Sequence, residues 1–158
     1  MQMFEEAANV PLIVCVPGKT TNATVNKTHL VSGLDILPTL CDYAGIPALP
    51  SFEGQSLRPL IENLKRRSAV AWRDHLVVEM GDGEYVRMVR SDRYKYVIYG
   101  DSSAPEMLFD LQSDPHETRN LAGDRSRRKV VATHRAMLKE WIAKTKDKFV
   151  FPEGIGVE

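Results

Sequence analysis

Cysteine is scarce in this chain. Cys15 and Cys41 are the two present, too few for a disulfide scaffold and without the paired spacing of a metal site. Net charge is absent too: 21 Lys and Arg balance 21 Asp and Glu over 158 residues, which removes any overall pull toward nucleic acid or an anionic membrane. The longest near-apolar run, Val10 to Pro17, falls far short of the ~20 residues that a membrane-spanning helix needs. The opening Met1-Gln-Met-Phe-Glu-Glu6 lacks the basic and apolar regions of a secretion signal and reads like a chain entered partway through. There is no His-Glu-x-x-His, no Gly-rich phosphate loop and no Gly-x-Ser-x-Gly elbow. His29, His75, His116 and His134 are scattered, and each reads as a surface or capping residue rather than a metal ligand.

What is present is an ordinary globular composition, 43% hydrophobic and 27% charged, enough for one domain with a satellite. Val10-Pro-Leu-Ile-Val-Cys-Val16, closed by Pro17-Gly18, has the continuous β-branched pattern of a strand buried on both faces of a parallel sheet. Such a strand needs neighbours, and none of its kind follows. A polar loop carries two formal glycosylation acceptors, at Asn22 and Asn26. A helix then starts at Ser32-Gly-Leu-Asp35, by a capping box or with Asp35 itself as N-cap and Pro38 in the first turn. Leu37, Leu40, Cys41 and Ala44 give it an apolar face in which Cys41 packs, and Gly45 with Pro47 ends it. A short helical segment over Ser56–Asn63 and a solvated Lys65-Arg66-Arg67 follow.

From Asp74 the pattern changes to period two. Strands are expected at about Leu76–Met80, Glu84–Arg90, Tyr94–Tyr99 and Met107–Leu111, joined by short turns into an antiparallel meander. Tyr94, Tyr96 and Ile98 share one face and Val97 and Tyr99 the other, and the tyrosines read as sheet packing. Ser113 to Gly123 is a structured polar turn in which the aspartates and Asn120 hydrogen-bond nearby backbone. The last element is a helix from about Asp124 or Ser126 to Asp147, with Val130, Val131, His134, Met137, Leu138, Trp141 and Ile142 on one stripe set against the sheet. Its basic first turn, Arg125 to Lys129, opposes the helix dipole and calls for carboxylates or solvent. The fold class expected is α+β, a four-stranded antiparallel sheet on a long C-terminal helix. Residues 1–73 form one region and 74–158 the second.

Several segments, in order, resemble the C-terminal third of type I sulfatases: Phe4-Glu-Glu6 through Val10-Pro-Leu-Ile13; Pro17-Gly18; Asp35-Ile-Leu-Pro-Thr-Leu40; Ala44-Gly-Ile-Pro47; Gly54-Gln-Ser-Leu57; Met88 through Tyr96; Leu108-Phe-Asp110; and Asp114-Pro-His-Glu-Thr-Arg-Asn-Leu121. The resemblance implies that residues 1–73 are the end of an alkaline-phosphatase-like α/β core, contributing one strand and one helix, and that 74–158 are the C-terminal subdomain. It also implies a parent that hydrolyses sulfate esters with a formylglycine residue and calcium, the metal and basic groups stabilising charge on the sulfuryl oxygens. By the family's motif order those groups precede Phe4, the active-site lysine lying a few residues upstream of Met1. No catalytic or metal-binding residue is therefore assigned within this chain, and the chain alone is expected to be inactive.

Cys15-Val-Pro17-Gly-Lys19 is similar to the Cys-x-Pro-x-Arg core that sulfatases oxidise. Lys replaces Arg, the downstream Leu-x-Gly is missing, and a cysteine ending a buried strand would not meet solvent, so Cys15 is read as structural. Asp82 to Tyr85 and His75 are the rim positions that could bear on substrate fit, without an assignment. The expected partners are the missing N-terminal catalytic region, a sulfated small molecule or glycan for the parent, and a second copy pairing through the orphan strand 10–16. The family suggests a periplasmic or secreted location. A phosphonate or phosphate monoester hydrolase of the same superfamily, or a free-standing α+β interaction module, are the alternatives.

Overall fold

The computed structural model describes residues 3–20, 24–62, 69–81, 86–100 and 106–155, and the chain divides into two compact units, residues 1–10 with 75–158 and residues 11–74. In the first unit, β1 (His75–Met80), β2 (Val86–Ser91), β3 (Tyr94–Tyr99) and β4 (Glu106–Asp110) pair in chain order as an antiparallel sheet. The register aligns Val77, Val89, Tyr96 and Leu108 in one row across all four strands. The next row, on the opposite face, is Leu76, Arg90, Lys95 and Phe109. Period-two alternation thus delivers two different faces.

On the first face lies α4 (Arg128–Thr145), preceded by a 3-10 turn over Arg125–Arg127 that Asp124 caps by accepting from the Ser126 N–H. Val131, His134 and Leu138 are its buried residues, and they meet Val77, Val89, Tyr96, Ile98 and Leu108, with Phe149 closing the core beyond the helix. Lys146, at φ 58°, ends α4 in the left-handed conformation. Arg127 of the basic first turn donates to the Tyr94 hydroxyl at 3.1 Å. The second face is covered by the start of the chain, where α1 (Glu5–Ala8) follows Met3, itself buried with Val86, Met88 and Val97.

The polar turn after β4 closes that edge of the sheet. Asn120 Oδ1 accepts from the Leu108 N–H at 3.0 Å, its Nδ2 donates to the Glu106 carbonyl, and the Leu121 N–H donates to the Leu108 carbonyl. An edge strand whose backbone groups are satisfied in this way is no longer a template for other strands.

In residues 11–74, a 3-10 turn over Gly33–Asp35 leads into α2 (Ile36–Ala44), and α3 (Arg58–Glu62) follows. Of the two starts allowed by the sequence, the capping box forms: Ser32 Oγ accepts from the Leu34 N–H, and Asp35 Oδ2 accepts from the Ser32 N–H. Gly45, at φ 69°, terminates α2.

Four expectations are corrected. Residues 10–16 form no strand, and Ile13 is 89% exposed. A doubly buried strand draws its hydrogen bonds and its cover from parallel neighbours, and the sheet strands described here pair only among themselves. The edge expected to pair two copies is therefore not formed. Secondly, the leucines of α2 face solvent, Leu37 at 54% and Leu40 at 60% exposure, while Pro38 and Thr39 are its buried residues. The helix docks through its polar flank: Thr39 Oγ1 donates to the Asp35 carbonyl and accepts from the Leu57 N–H at 2.8 Å. Cys41 is only partly buried. Thirdly, Cys15 is exposed, so inaccessibility does not count against it, and its reading as structural rests on the Lys19 mismatch and the missing Leu-x-Gly. Lastly, His134 follows its place on the helix stripe and not the surface or capping reading given to the histidines together: it is a core residue, 4% exposed, with Ser91 and Val130 as partners for its two ring nitrogens. Asn22, Lys65 to Arg67 and Asp82 to Tyr85 lie outside the described residues.

Candidate functional site

Three kinds of local chemistry stand out, and each belongs to one unit. In residues 11–74 the polar anchor is Asp35, which is fully buried. Its carboxylate accepts from the Ser32 and Gln55 backbone N–H groups and from Nη1 and Nη2 of the Arg73 guanidinium. A bidentate guanidinium and two backbone donors satisfy a buried carboxylate in full. Gly54 lies so close that a Cβ there would run into the Leu34 carbonyl.

The same region leaves apolar chain to solvent. Leu12, Ile13 and Val14, then Leu34, Ile36, Leu37 and Leu40, then Ile46 and Leu49 are all exposed. Scattered exposed leucines need no explanation. A β-branched run and the apolar flank of a helix exposed together are the mark of surface meant to be covered.

In the sheet unit the third feature is a buried charge network on the face opposite α4. Lys95 is a fully buried lysine in the middle of a strand. Its Nζ lies 2.7 Å from Glu5 Oε1 and 2.7 Å from Glu117 Oε1, and it donates to the Met3 carbonyl at 2.9 Å. Glu117 Oε2 accepts from the Glu5 N–H at 2.6 Å. Arg90 Nε is 3.8 Å from Glu5 Oε1, so two cations balance two carboxylates. Phe4 packs on Phe109 at 6.1 Å between ring centroids. Glu117 holds a φ of 54°, uncommon for a residue with a side chain.

On the opposite face, Arg87 and Asp147 form a buried bidentate pair at 2.6 and 2.7 Å, and the guanidinium holds the Asp147 carboxyl below its ordinary range. Arg93 does the same for Asp110, bringing it down to about 2. His134 Nδ1 faces the Val130 carbonyl at 2.8 Å, which can only accept, so Nδ1 carries the proton and Nε2 takes the Ser91 hydroxyl at 2.9 Å. Burial holds the ring below the ordinary histidine value. His75, the named rim position, opens β1 opposite Ser91 and is partly buried.

The sequence reading passed over Lys95, Glu5 and Glu117. The available signal was a lysine between two inward-pattern tyrosines on an otherwise apolar strand, which needs buried carboxylates to be tolerated. Among the described residues no group of His, Cys, Asp or Glu is arranged to hold a metal ion, and no helix is long and apolar enough to cross a membrane.

Comparison with known proteins places this architecture. The chain belongs to the N-sulphoglucosamine sulphohydrolase C-terminal family, whose model matches residues 1–145. It is 37% identical over 155 residues to a Delta 4,5-hexuronate-2-O-sulfatase of Bacteroides thetaiotaomicron, a match covering 94% of this chain and 31% of the relative. It is 38% identical over 132 residues to arylsulfatase K of Gallus gallus, covering 77% of this chain and 24% of that protein. Among solved structures, a 2-O GAG sulfatase superposes with a TM-score of 0.60 at 36% identity, over 72% of this chain and 25% of that one. The phosphonate monoester hydrolase of Agrobacterium radiobacter gives 0.61 at 27% identity, over 73% and 25%. The chain therefore spans about a quarter to a third of the relatives it matches.

Proposed function

We propose that this chain is the C-terminal part of a sulfuric ester hydrolase whose catalytic groups lie upstream of it. The observation that carries the reading is coverage: 94% of this chain aligns at 37% identity with 31% of a sulfatase. The exposed apolar surface of residues 12–49 supports it, because the upstream catalytic region would cover that surface and lend residues 10–16 the neighbours a parallel strand requires. In this reading residues 1–73 complete the catalytic core and 74–158 form a subdomain that supports it, with the chain start, residues 1–10, packed in one unit with that subdomain.

Formylglycine and calcium supply such a parent with its nucleophile and its electrostatic stabilisation of sulfuryl oxygens. The described residues of this chain are not arranged to hold the metal, and Cys15 lacks the surrounding motif, so neither group is placed here. What these residues do is bury and fix: Asp35 ties the turn before α2 to Arg73, and Lys95 ties the chain start to the sheet. A curated relative and a solved structure carry 2-O-sulfatase names, the first specifying a hexuronate, which makes 2-O-sulfated uronides the first substrates to try.

The test is hydrolysis of a chromogenic aryl sulfate and of a 2-O-sulfated unsaturated uronide by the longer protein, coexpressed with a formylglycine-generating enzyme and supplied with calcium, beside this chain alone. Turnover by the longer protein only is the expected result. Turnover by this chain, lost on Cys15→Ala, contradicts it. A second reading, phosphonate or phosphate monoester hydrolysis, is favoured by the 27% identical phosphonate monoester hydrolase. A longer protein that turns over p-nitrophenyl phenylphosphonate, a phosphonate monoester, faster than the aryl sulfate would replace the first reading with the second.

A further inference from the structure

Met3, Phe4 and Glu5 are separated in sequence from the sheet by all of residues 11–74, yet they pack within the sheet unit. The attachment is made by charge as well as by apolar contact. One fully buried cation, Lys95, touches the Met3 carbonyl and the carboxylates of Glu5 and Glu117, and Glu117 also takes the Glu5 N–H. The Met3 side chain could be held by Val86, Met88 and Val97 alone. Apolar packing permits a segment to slide or rotate by small amounts, because it has no preferred hydrogen-bond direction. Three directional contacts, two from Lys95 on β3 and one from Glu117 in the turn after β4, to the backbone of residues 3 and 5 and to the Glu5 carboxylate do not. Glu117 reaches its place from a backbone conformation that side chains disfavour, φ 54°, the kind of local strain a fold retains where a side chain has to be aimed. Burying a lysine and a carboxylate is a poor way to gain stability and a good way to fix registry.

We infer that Lys95, Glu117 and Glu5 form a clamp whose task is to fix the path of the chain entering at Met3, and so to position the active-site residues that precede it in the intact enzyme. The inference rests on the proposed function, which puts catalytic groups upstream of this chain. Lys95, Glu117 and Glu5 are positioning residues: they act through the backbone of residues 3 to 5 and touch no substrate. A loosened clamp lets an upstream catalytic group wander, and misplacement by about 1 Å costs on the order of a hundred-fold in rate. Because the displaced group works on the transition state, kcat falls while KM holds.

The experiment uses the longer, formylglycine-loaded protein with a chromogenic aryl sulfate, in four forms: wild type, Lys95→Met, Glu117→Gln and Leu138→Ala. Leu138 lies in the core on the other face of the sheet, so its variant controls for lost stability without touching the clamp. Hydrogen exchange at the Glu5 amide is followed in the same proteins. The expected result is a fall in kcat of about ten-fold or more in both clamp variants, KM within about two-fold, and faster exchange at Glu5, with kcat unchanged in Leu138→Ala. Should Lys95→Met fail to fold, Glu5→Gln, at a partly exposed side chain, takes its place. Wild-type kcat in clamp variants whose Glu5 amide exchanges faster overturns the inference, as does an equal loss of kcat in Leu138→Ala. A wild-type protein inert toward the aryl sulfate overturns the functional reading instead, before any variant is compared.

Discussion

The two units of this chain solve the burial problem differently. In the sheet unit both faces are covered from within the chain: α4 packs on one, and Met3 with its neighbours packs on the other. In residues 11–74 a buried carboxylate, a proline and a threonine lie inside beside Leu57 and Leu60, while the leucines of α2 lie outside. The first unit is a closed core, and the second holds its shape by a directed polar anchor and a small apolar contact at Leu57 and Leu60 while offering the apolar flank of α2 outward. Completeness is thus a property of a region rather than of a chain, and it is visible in which residue types are left in water.

The contrast can be broken most sharply at Arg87. Replacing it with Met strands the buried Asp147 carboxylate, and unfolding by urea should show the sheet unit losing about 3–5 kcal/mol. A loss below about 1 kcal/mol would mean that the pair is not doing what its geometry suggests. Gly54→Ala probes the other unit. Its Cβ meets the Leu34 backbone carbonyl, which cannot swing aside as a side chain would, so a cost of about 1–3 kcal/mol is expected. Thermal melts followed by the fluorescence of Trp72, which donates to the Leu30 carbonyl in the same unit, and of Trp141 in α4 would report the two units.

Acid should attack the sheet unit in two stages. His134 has a folded value below its ordinary 6.5, so the unfolded chain takes up the proton more readily, and stability is full above pH 6.5 and declines as pH falls below it. Asp110 has a folded value of about 2 against an ordinary 3.8, so its contribution is present above 3.8 and is lost as pH falls toward 2. His134→Gln should remove the first stage and leave the second. An unchanged first stage would assign it to another group.

The smallest effect is expected on the outward leucines. Leu40→Ser, at a position 60% exposed, should change the stability of this chain by no more than about 0.5 kcal/mol. In the longer protein the same substitution should cost several times more, since there the leucine would be buried.

The meander was legible because period-two alternation and Gly- or Asp-containing turns are local signals, and strands β1 to β4 fall within two residues of their expected bounds. The C-terminal helix was legible from its stripe for the same reason. The Val10–Val16 strand was legible as a pattern and wrong as a structure here, since a buried strand is defined by partners and the pattern does not carry them. The leucine face of α2 misled likewise: amphipathicity says that a face wants cover, not that this chain supplies it. His134 was legible as a member of the helix stripe, whereas the Lys95 network was missed because its burial depends on partners distant in sequence, Glu5 and Glu117.

The central claim, that residues 10–16 and the leucine flank of α2 are interior surface awaiting the upstream region, is tested most directly by hydrogen exchange. Amides of residues 12–16 would be followed in this chain and in the protein extended upstream. Rapid exchange in the short chain, turning to strong protection in the extended one, is the expected result, as residues 10–16 acquire ladder hydrogen bonds. Equally rapid exchange in both would contradict it and leave the exposed apolar run as genuine surface.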